Sequence, residues 1–327
     1  MTQMRAAITG RYGPPEVVRI EQVLRPVAKA GDVLIRVAAA PVSSGDARIR
    51  GFEVPKGFGL PMRLIFGLRG PRWPVMGMEF AGRVVVGGAS GGPFPAGERV
   101  FGLTGLKGGA HAEYLVLPGT GKLLPIPASL TDVEAAGFFF GGLTAADFLI
   151  DKARLQPGER ILIHGATGAV GSAAIQIARH LGAQVSAVCS GANLEFARGI
   201  GAHQAFDYRA GPVEGTFDVV LDVIGSLPYR AARANLTPGG RYGSVTATLA
   251  QQVEFGLRPR RGGHHRIAGV IADGLPAMLR LIAIHGEGGY RPIIGATFPF
   301  DRIREAHAIA GSFHKRGNCV VVMDAAP

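Results

Sequence analysis

The chain has 327 residues, of which 47% are hydrophobic and 18% are charged, so a disordered chain is excluded and two domains are expected. The net charge of +11 calls for an anionic partner to be considered. The basic residues are scattered, however, and the densest group, Leu257 to Arg266, has no stacking aromatics beside it. We therefore expect an anionic cofactor rather than a nucleic-acid partner.

The first third of the chain predicts short strands separated by glycine and proline. The segments Val17 to Leu24, Asp32 to Val42 and His111 to Pro118 alternate or run apolar for strand lengths. Few helical patterns interrupt them, which indicates a mostly antiparallel, partly closed sheet with long loops. The longest of these loops is predicted from Phe52 to Trp73.

The pattern changes after position 126. Ser129 or Thr131 can cap a helix, and Glu134 completes a capping box with Thr131. From Arg160 to Asp273 strands alternate with helices, which is typical of a doubly wound parallel sheet. Two helices and a last strand follow, and this strand is expected to return to the first domain. The prediction is an α/β protein with residues 1–126 and 273–327 in one domain and 127–272 in the other.

Neither a membrane span nor a disulfide framework is predicted. The most apolar window, Ala135 to Ile150, contains Asp147 and falls short of the about 18 apolar residues of a span, so it reads as a buried helix. The first residues lack the apolar core of a signal peptide. Cys189 and Cys319 lie in apolar strand patterns and form no CxxC motif. We expect a cytoplasmic protein without a membrane partner.

A glycine-rich turn joins a predicted strand to a predicted helix in "ILIHGATGAVG", which ends at Gly171. Glycine allows positive φ in a tight turn, and it lets backbone N–H groups approach a pyrophosphate. The helix that follows adds the positive end of its dipole. The spacing differs from G-x-G-x-x-G, because Ala166 stands where the first glycine would be. The strand and the helix on either side nevertheless favour dinucleotide binding over simple packing.

The end of the second strand of this domain indicates which dinucleotide binds. A carboxylate there would hold the ribose 2′-hydroxyl of NAD, yet no acid occurs from Ala183 to Leu194. Ser190 and Asn193 are neutral donors at the place of a 2′-phosphate. Tyr208 and Arg209, after the third strand, are placed to close over it. We therefore predict NADP(H) as the cofactor.

At this point the chain resembles the medium-chain dehydrogenase/reductase superfamily, in its zinc-independent quinone oxidoreductase-like branch. The resemblance rests on "GDVLIRVAAAPVSSGDARIRG", "PVMGMEFAGRVV", "GGLTAADFL", "HGATGAVG" and "GNCVVVM", which follow one another in the family's order. It implies a GroES-like catalytic domain and a Rossmann cofactor domain, with the active cleft between them and a homodimeric assembly.

The candidate cofactor-binding residues lie in four segments of the second domain. They are Thr144; Gly165, Ala166, Thr167, Gly168, Ala169, Val170 and Gly171; Cys189, Ser190, Asn193 and Tyr208; and Asp222, Val223 and Gly225. Thr144 is assigned by the resemblance alone, as the residue near the nicotinamide end. Asp222 ends a predicted parallel strand at the carboxyl edge of the sheet, where such folds bind ligands.

In related alcohol dehydrogenases three side chains bind the catalytic zinc. The resemblance implies that Ser43, Met78 and Phe140 occupy those three positions in this chain. Hydroxyl, thioether and phenyl groups do not replace thiolate and imidazole ligands, so we predict no metal site. Glu79 remains beside Met78 and is expected to join a structural hydrogen-bond network.

Without a Lewis acid, a quinone or an activated C=C bond is a better hydride acceptor than a simple ketone. The resemblance implies that Ser43, Asp46 and Arg48 form the catalytic segment. Ser43 would donate to a substrate carbonyl, Asp46 would orient the loop, and Arg48, where relatives often have tyrosine, would favour a polar or anionic acceptor.

Two other functions stay open. An enoyl-thioester reductase would use the arginines between Arg258 and Arg266 to meet a phosphopantetheine or coenzyme A phosphate, although an ordinary solvated loop is the plainer interpretation of this segment. A protein of a different class would bind NADPH without turnover, as a sensor or an RNA-binding protein.

Overall fold

The computed structural model describes residues 2–87, 94–312 and 315–323. The strands are β1 Gln3–Thr9, β2 Val18–Leu24, β3 Asp32–Pro41, β4 Glu79–Val86, β5 Arg99–Leu103, β6 Tyr114–Pro118, β7 Leu123–Pro125, β8 Arg160–His164, β9 Gln184–Cys189, β10 Gln204–Asp207, β11 Phe217–Asp222, β12 Leu236–Ser244, β13 Arg260–Arg261, β14 His264–Ile267, β15 Ile294–Pro299 and β16 Asn318–Val322.

The α-helices are α1 Ser44–Gly51, α2 Gly59–Phe66, α3 Asp132–Ala136, α4 Phe139–Ala146, α5 Ala169–His180, α6 Leu194–Gly199, α7 Tyr229–Ala232, α8 Leu249–Leu257, α9 Leu275–Gly286 and α10 Ile303–Gly311. A π-helical turn, Asp147–Lys152, extends α4. Single 3₁₀ turns are Pro15–Val17, Gly105–Lys107, Gly191–Asn193, Arg233–Asn235 and Phe300–Arg302.

The chain divides into two compact units. The first contains Met1–Val54, Leu60–Phe139 and Ile294–Pro327, and the second contains Pro55–Gly59 and Phe140–Ile293. The sequence placed these divisions at 126 and 272 instead. Residues 127–139 go with the first unit because Asp132 pairs with Arg99 and the Phe139 N–H donates to Glu79.

Helix α9 belongs to the second unit for a similar reason. Leu281 packs so closely on Gly142 that a Cβ at the glycine would lie 2.6 Å from the leucine Cδ2. Arg280 also pairs with Asp151 at the end of the π-helical turn, at 2.5 Å. The apolar periodicity of α9 predicts a helix but contains no information about which sheet the helix covers.

The first unit is mostly antiparallel, as predicted. Its main sheet has the order β15-β16-β3-β4-β5-β7, with β6 paired to β3, and β1 and β2 form a separate antiparallel pair. Only β15 and β16 run parallel among the paired strands described in this unit. Strand β16 pairs with β3, which confirms that the last strand returns to the first domain. Phe80, Val100, Phe300 and Val321 lie in its core.

The second unit has the sheet order β10-β9-β8-β11-β12-β14-β13, and its pairs are parallel except at β13. When the two-residue strand β13 is left out, the other six strands, numbered in order of appearance, read 3-2-1-4-5-6, which is the doubly wound order of a dinucleotide-binding sheet. The switch point lies between β8 and β11, and a crevice at this point is where such sheets bind ligands. The predicted Rossmann domain is confirmed.

Two predicted loops contain regular structure. The segment from Phe52 to Trp73 includes α2, although its glycines and prolines indicated a loop. The arginine-rich segment forms the β13–β14 hairpin, of which residues 258–263 are solvated as expected, whereas Arg266 is buried, pairs with Glu254 and packs its guanidinium 4.8 Å from the centre of the Phe255 ring. Tertiary contacts, which local composition does not report, determine both.

Candidate functional site

The turn after β8 has the backbone geometry that its glycines predicted. Gly165 has φ of +82°, which favours glycine, and its N–H and that of Ala166 both donate to the carbonyl oxygen of Val188 on β9. A side chain on Gly171 would overlap the carbonyl oxygen of Gly165, so this glycine lets α5 approach the turn closely. Two of the three glycines therefore shape the turn itself.

Gly168 serves a different purpose. It precedes α5 with an extended backbone, and a Cβ built on it would meet nothing within 4 Å. No side chain caps the helix, and its first turn contains no acid. The first N–H groups of the 12-residue helix therefore have no helical or side-chain capping partner, and the space beside Gly168 is open. A pyrophosphate fits this place, because the N–H groups and the helix dipole both favour an anion.

Polar side chains gather where β9 ends. Ser190 begins the 3₁₀ turn Gly191–Asn193, and the Asn193 Nδ2 donates to the Ser190 hydroxyl at 3.1 Å. The same nitrogen lies 3.5 Å from the Thr167 hydroxyl of the glycine turn. The structure thus brings together Thr167, Ser190 and Asn193, three of the predicted cofactor residues, as neutral hydrogen-bonding groups.

A carboxylate that the sequence reasoning missed lies beside them. Asp207 ends β10 and pairs in register with Cys189, and a Cβ on Gly191 would lie 2.6 Å from its Oδ2. Burial raises the pKa of the Cys189 thiol, and the charge of Asp207 raises it further. The signal was the parallel pairing itself, which brings the ends of neighbouring strands to one edge.

Tyr208 and Arg209 follow this aspartate at the same edge. The Arg209 N–H donates to Asp207 Oδ1 at 3.0 Å, and the guanidinium lies 5.4 Å from the centre of the Tyr208 ring. Tyr208 is 47% exposed, so its ring is available to a ligand. The two residues lie at the edge where the sequence predicts that they close over a 2′-phosphate.

Asp222 holds the loop that follows β11 in place through hydrogen bonds to its backbone. Its side chain is buried and accepts the N–H groups of Gly225, at 2.9 Å, and Leu227, at 3.1 Å. Gly225 has φ of +83°, and a side chain on it would overlap the Thr246 hydroxyl. Asp222 is thus a positioning residue for the predicted contacts Val223 and Gly225, not a group that faces a ligand directly.

Three neighbours of that loop were not predicted as site residues. Ile224 covers Gly165, whose Cβ would lie 2.6 Å from the isoleucine Cγ2. His164 ends β8, and its Nδ1 lies 3.6 Å from Asp222 Oδ1 and 3.4 Å from the Ser226 hydroxyl. Thr246 follows β12 at the same edge. The loops after β8, β11 and β12 therefore meet at the carboxyl edge of the sheet.

Thr144 is buried in α4. Its hydroxyl donates to the carbonyl oxygen of Phe140 in the same helix, at 2.7 Å. A side chain on Gly141 would overlap the carbonyl oxygen of Ala169, so α4 packs against the first turn of α5. Thr144 therefore lies on a helix that contacts the uncapped end, which agrees with an assignment near the cofactor.

In the first unit, Ser43 and Asp46 form a closed capping box at the start of α1. The Asp46 carboxylate accepts the Ser43 N–H at 2.8 Å and the Ser43 hydroxyl at 2.5 Å, and the Ser43 Oγ accepts the Asp46 N–H. Asp46 also accepts the Gly77 N–H, and both side chains are buried. The Ser43 proton is thus already used within the helix cap, and the geometry favours a structural role for Asp46.

Arg48 lies one turn further along α1 and is partly buried. Desolvation lowers the pKa of its guanidinium, while the charge of Glu53 opposes that effect. Glu79, which follows the family's zinc-ligand position at Met78, accepts the N–H of Phe139 at 2.9 Å. Within the described ranges, no group of three or more His, Cys, Asp or Glu side chains is arranged to hold a metal ion.

These features define a two-domain nucleotide-dependent enzyme, and comparisons with known proteins give its family. A model of the "Alcohol dehydrogenase GroES-like domain" matches residues 29–128, and a model described as "Zinc-binding dehydrogenase" matches residues 200–321. The GroES-like prediction for the first unit is therefore confirmed.

Individual relatives agree with these models. The chain is 30% identical to the human protein "NAD(P)H oxidoreductase RTN4IP1, mitochondrial" over 360 residues, which span 98% of this chain and 89% of that one. It is 27% identical to the quinone oxidoreductase of Pongo abelii, with 93% of each chain covered. The solved quinone oxidoreductase of Coxiella burnetii has the same fold, with a TM-score of 0.85, 23% identity and coverage of 99% of this chain and all of that one.

The chain belongs to the medium-chain dehydrogenase/reductase family, in its quinone oxidoreductase-like branch. It is an oxidoreductase that uses a nicotinamide cofactor. In the part of the chain that the structure describes, every helix is too short or too polar to cross a bilayer.

Proposed function

We propose that the protein is a zinc-independent, NADPH-dependent reductase of a quinone or an activated enone. The observation that carries this proposal is the open start of α5, beside an end of β9 that offers a hydroxyl and an amide. Uncapped N–H groups at the helix start suit the pyrophosphate. Ser190 and Asn193 suit a 2′-phosphate, because neutral donors do not repel it.

The bound cofactor would supply a hydride, and the protein would supply binding and orientation. The turn Gly165–Gly171 would hold the pyrophosphate, Asp222 would keep the loop of Val223 and Gly225 in place, and α4 would support the start of α5. A quinone accepts one hydride and one proton to become a hydroquinone, and water is a sufficient proton source. This reaction needs no Lewis acid.

Zinc independence is supported by the chemistry of the residues at the family's ligand positions. Ser43 uses its hydroxyl in the cap of α1, Met78 is a thioether, and Phe140 offers no donor atom. We expect purified protein to contain less than about 0.1 zinc per chain, and chelators to leave its activity intact. Stoichiometric zinc in elemental analysis would contradict the proposal.

The carboxylate of Asp207 at the end of β10 makes the preference between NADPH and NADH directly testable. We expect NADPH to bind more tightly than NADH in fluorescence titrations, and Ser190→Asp to reverse the order by placing a second carboxylate at the 2′-position. Ser129→Asp, in the other unit, is the charge control. Tighter NADH binding by the unaltered protein, lost in Asp207→Asn, would show that Asp207 holds a ribose hydroxyl and would overturn the NADPH assignment.

The acceptor class is tested by NADPH consumption with a panel of quinones and enones, followed by crotonyl-CoA. Turnover of quinones with no turnover of crotonyl-CoA supports the proposal, and the opposite result supports an enoyl-thioester reductase.

The proposal includes a cytoplasmic location, in keeping with two buried free cysteines, and a homodimer, which analytical ultracentrifugation tests.

A further inference from the structure

Helix α2 is apolar on both sides, although the protein covers only one of them. Phe66 faces inward and is buried, whereas Leu60 is 70%, Leu64 60% and Leu68 64% exposed. Leu60 and Leu64 are four residues apart and share one face of the helix. Apart from Arg63, the helix is apolar all round, and such a helix is normally buried on every side, so the outer face of α2 lacks the cover that its composition calls for.

The helix is held in this orientation by the aromatic residues beneath it. The Arg63 guanidinium lies 4.3 Å from the centre of the Phe52 ring and 5.6 Å from that of Tyr12. The Tyr12 hydroxyl donates to the carbonyl oxygen of Gly67, and Arg72 donates to that of Leu64. These contacts hold the C-terminal half of α2 in place and keep the leucines on the outside.

The surroundings of the leucines are basic. From Leu60 to Met78 the chain has no Asp or Glu and three bases: Arg63, Arg69 and Arg72. Across the residues that the structure describes, none of these three forms an ion pair with a carboxylate. Leu106, which is 61% exposed, and Lys107 line the same cavity as Phe66, Arg72 and Trp73, so they extend the surface.

We propose that this surface, named the leucine face and formed by residues 60–73 with Leu106 and Lys107, docks the protein on an anionic phospholipid bilayer. Exposed leucines flanked by Lys and Arg, with a tryptophan beside them, are the composition of helices that lie in the membrane interface. A second copy of the chain is a poorer occupant, because each copy brings the same uncompensated positive charge to the contact. The sequence predicted no membrane partner because it contains no membrane span, but an interfacial helix of eight residues does not need a span, and the proposal departs from that prediction.

Trp73 allows a direct test, since it is the single tryptophan of the chain. Full-length protein is mixed with vesicles of phosphatidylcholine containing 30% phosphatidylglycerol, and with vesicles of phosphatidylcholine alone. We expect flotation and a blue shift of Trp73 emission with the anionic vesicles, both reduced by 0.5 M salt because surface charges are screened.

Variants separate the apolar and the electrostatic parts. Leu64→Ser should weaken vesicle binding about tenfold, from the transfer free energy of one leucine, and Arg69→Gln about fivefold, from one surface charge. Leu279→Ser, at a leucine 53% exposed on α9, and Arg19→Gln, at an exposed arginine of β2, are the matched controls and should bind as the unaltered protein does. Quinone reduction in solution should be unchanged in all four variants.

Two results would overturn the proposal. One is the absence of flotation with the anionic vesicles. The other is a dimer that Leu64→Ser dissociates in ultracentrifugation without vesicle binding, which would make the leucine face a contact between copies. Neither result bears on the proposed reductase activity, which is measured with a water-soluble quinone.

Discussion

Two helices in different units begin in opposite ways. At α1 the N–H groups are satisfied by the chain itself, through the capping box of Ser43 and Asp46. At α5 the helix starts after Gly168 with no capping side chain. A cap stabilises a protein by about 1 kcal/mol, so a 12-residue helix that lacks one forgoes a stabilisation that a serine would provide. The comparison suggests that the open start is kept for a ligand and the closed start for the fold.

The largest effect is expected when the open start is blocked. Gly168→Val would place a branched side chain in the space before α5, so we expect cofactor affinity to fall at least about a hundredfold, with both units still folded. Gly256→Val, at a glycine on α8 with open space and ordinary φ, is the control. Wild-type NADPH affinity in Gly168→Val would show that the turn only packs.

A change at the capped start of α1 should lower stability and leave cofactor affinity nearly unchanged. Asp46→Ala removes the acceptor of three buried hydrogen bonds, so the free energy of unfolding should fall by about 2–4 kcal/mol, with cofactor affinity nearly unchanged in the folded fraction. Urea unfolding measures the first quantity and titration the second. A loss of kcat at unchanged stability would instead assign Asp46 to the chemistry.

Helix α10, which packs beside α1, adds a dependence on pH. His307 is fully buried with its ring 5.5 Å from that of His111, and burial holds its pKa well below the usual value, followed by the charges of His111 and Arg50. The unfolded chain takes up a proton on this residue below about pH 6.5, whereas the folded one does not. Stability is therefore complete above that pH and should fall by up to about 1.4 kcal/mol per pH unit below it.

Replacing the residue separates this effect from general acid sensitivity. We expect His307→Leu to flatten the decrease in melting temperature between pH 6.5 and 5, because it removes the titrating group from the core. The comparison variant is His180→Leu. This histidine lies in the second unit, is partly exposed and pairs with Glu287 of the same unit. An unchanged pH profile in His307→Leu would assign the acid sensitivity to other groups.

The smallest effect is expected at Arg48, the residue by which α1 would contribute to function. Arg48→Ala should raise KM for polar acceptors about fivefold to tenfold, through loss of one charge-assisted hydrogen bond, and leave NADPH binding unchanged. Unaltered kinetics over the whole acceptor panel would restrict α1 to its structural role.

Local chemistry explains why the sequence predicted the site where it did. The roles of two glycines follow from the few residues around them: Gly165 has positive φ, and Gly168 precedes an uncapped helix. The capping box of Thr131 and Glu134 is equally local, and it is present at the start of α3. The doubly wound parallel class followed from alternation of strands and helices, because such units wind in only one favoured way. The sequence by itself therefore determined the two domains, their fold class and the cofactor turn.

The rest depends on contacts between distant residues, which only the tertiary structure decided. Asp207 reaches the end of β9 through strand register, α9 joins the second unit through Leu281 and Arg280, and the hairpin β13–β14 depends on the pairing of Arg266 with Glu254. The exposure of Leu60 and Leu64 likewise follows from the anchoring of Arg63 over Phe52 and Tyr12. The physical reason is common to all four: a residue's type and local pattern set which groups it offers, whereas packing sets which partner they meet.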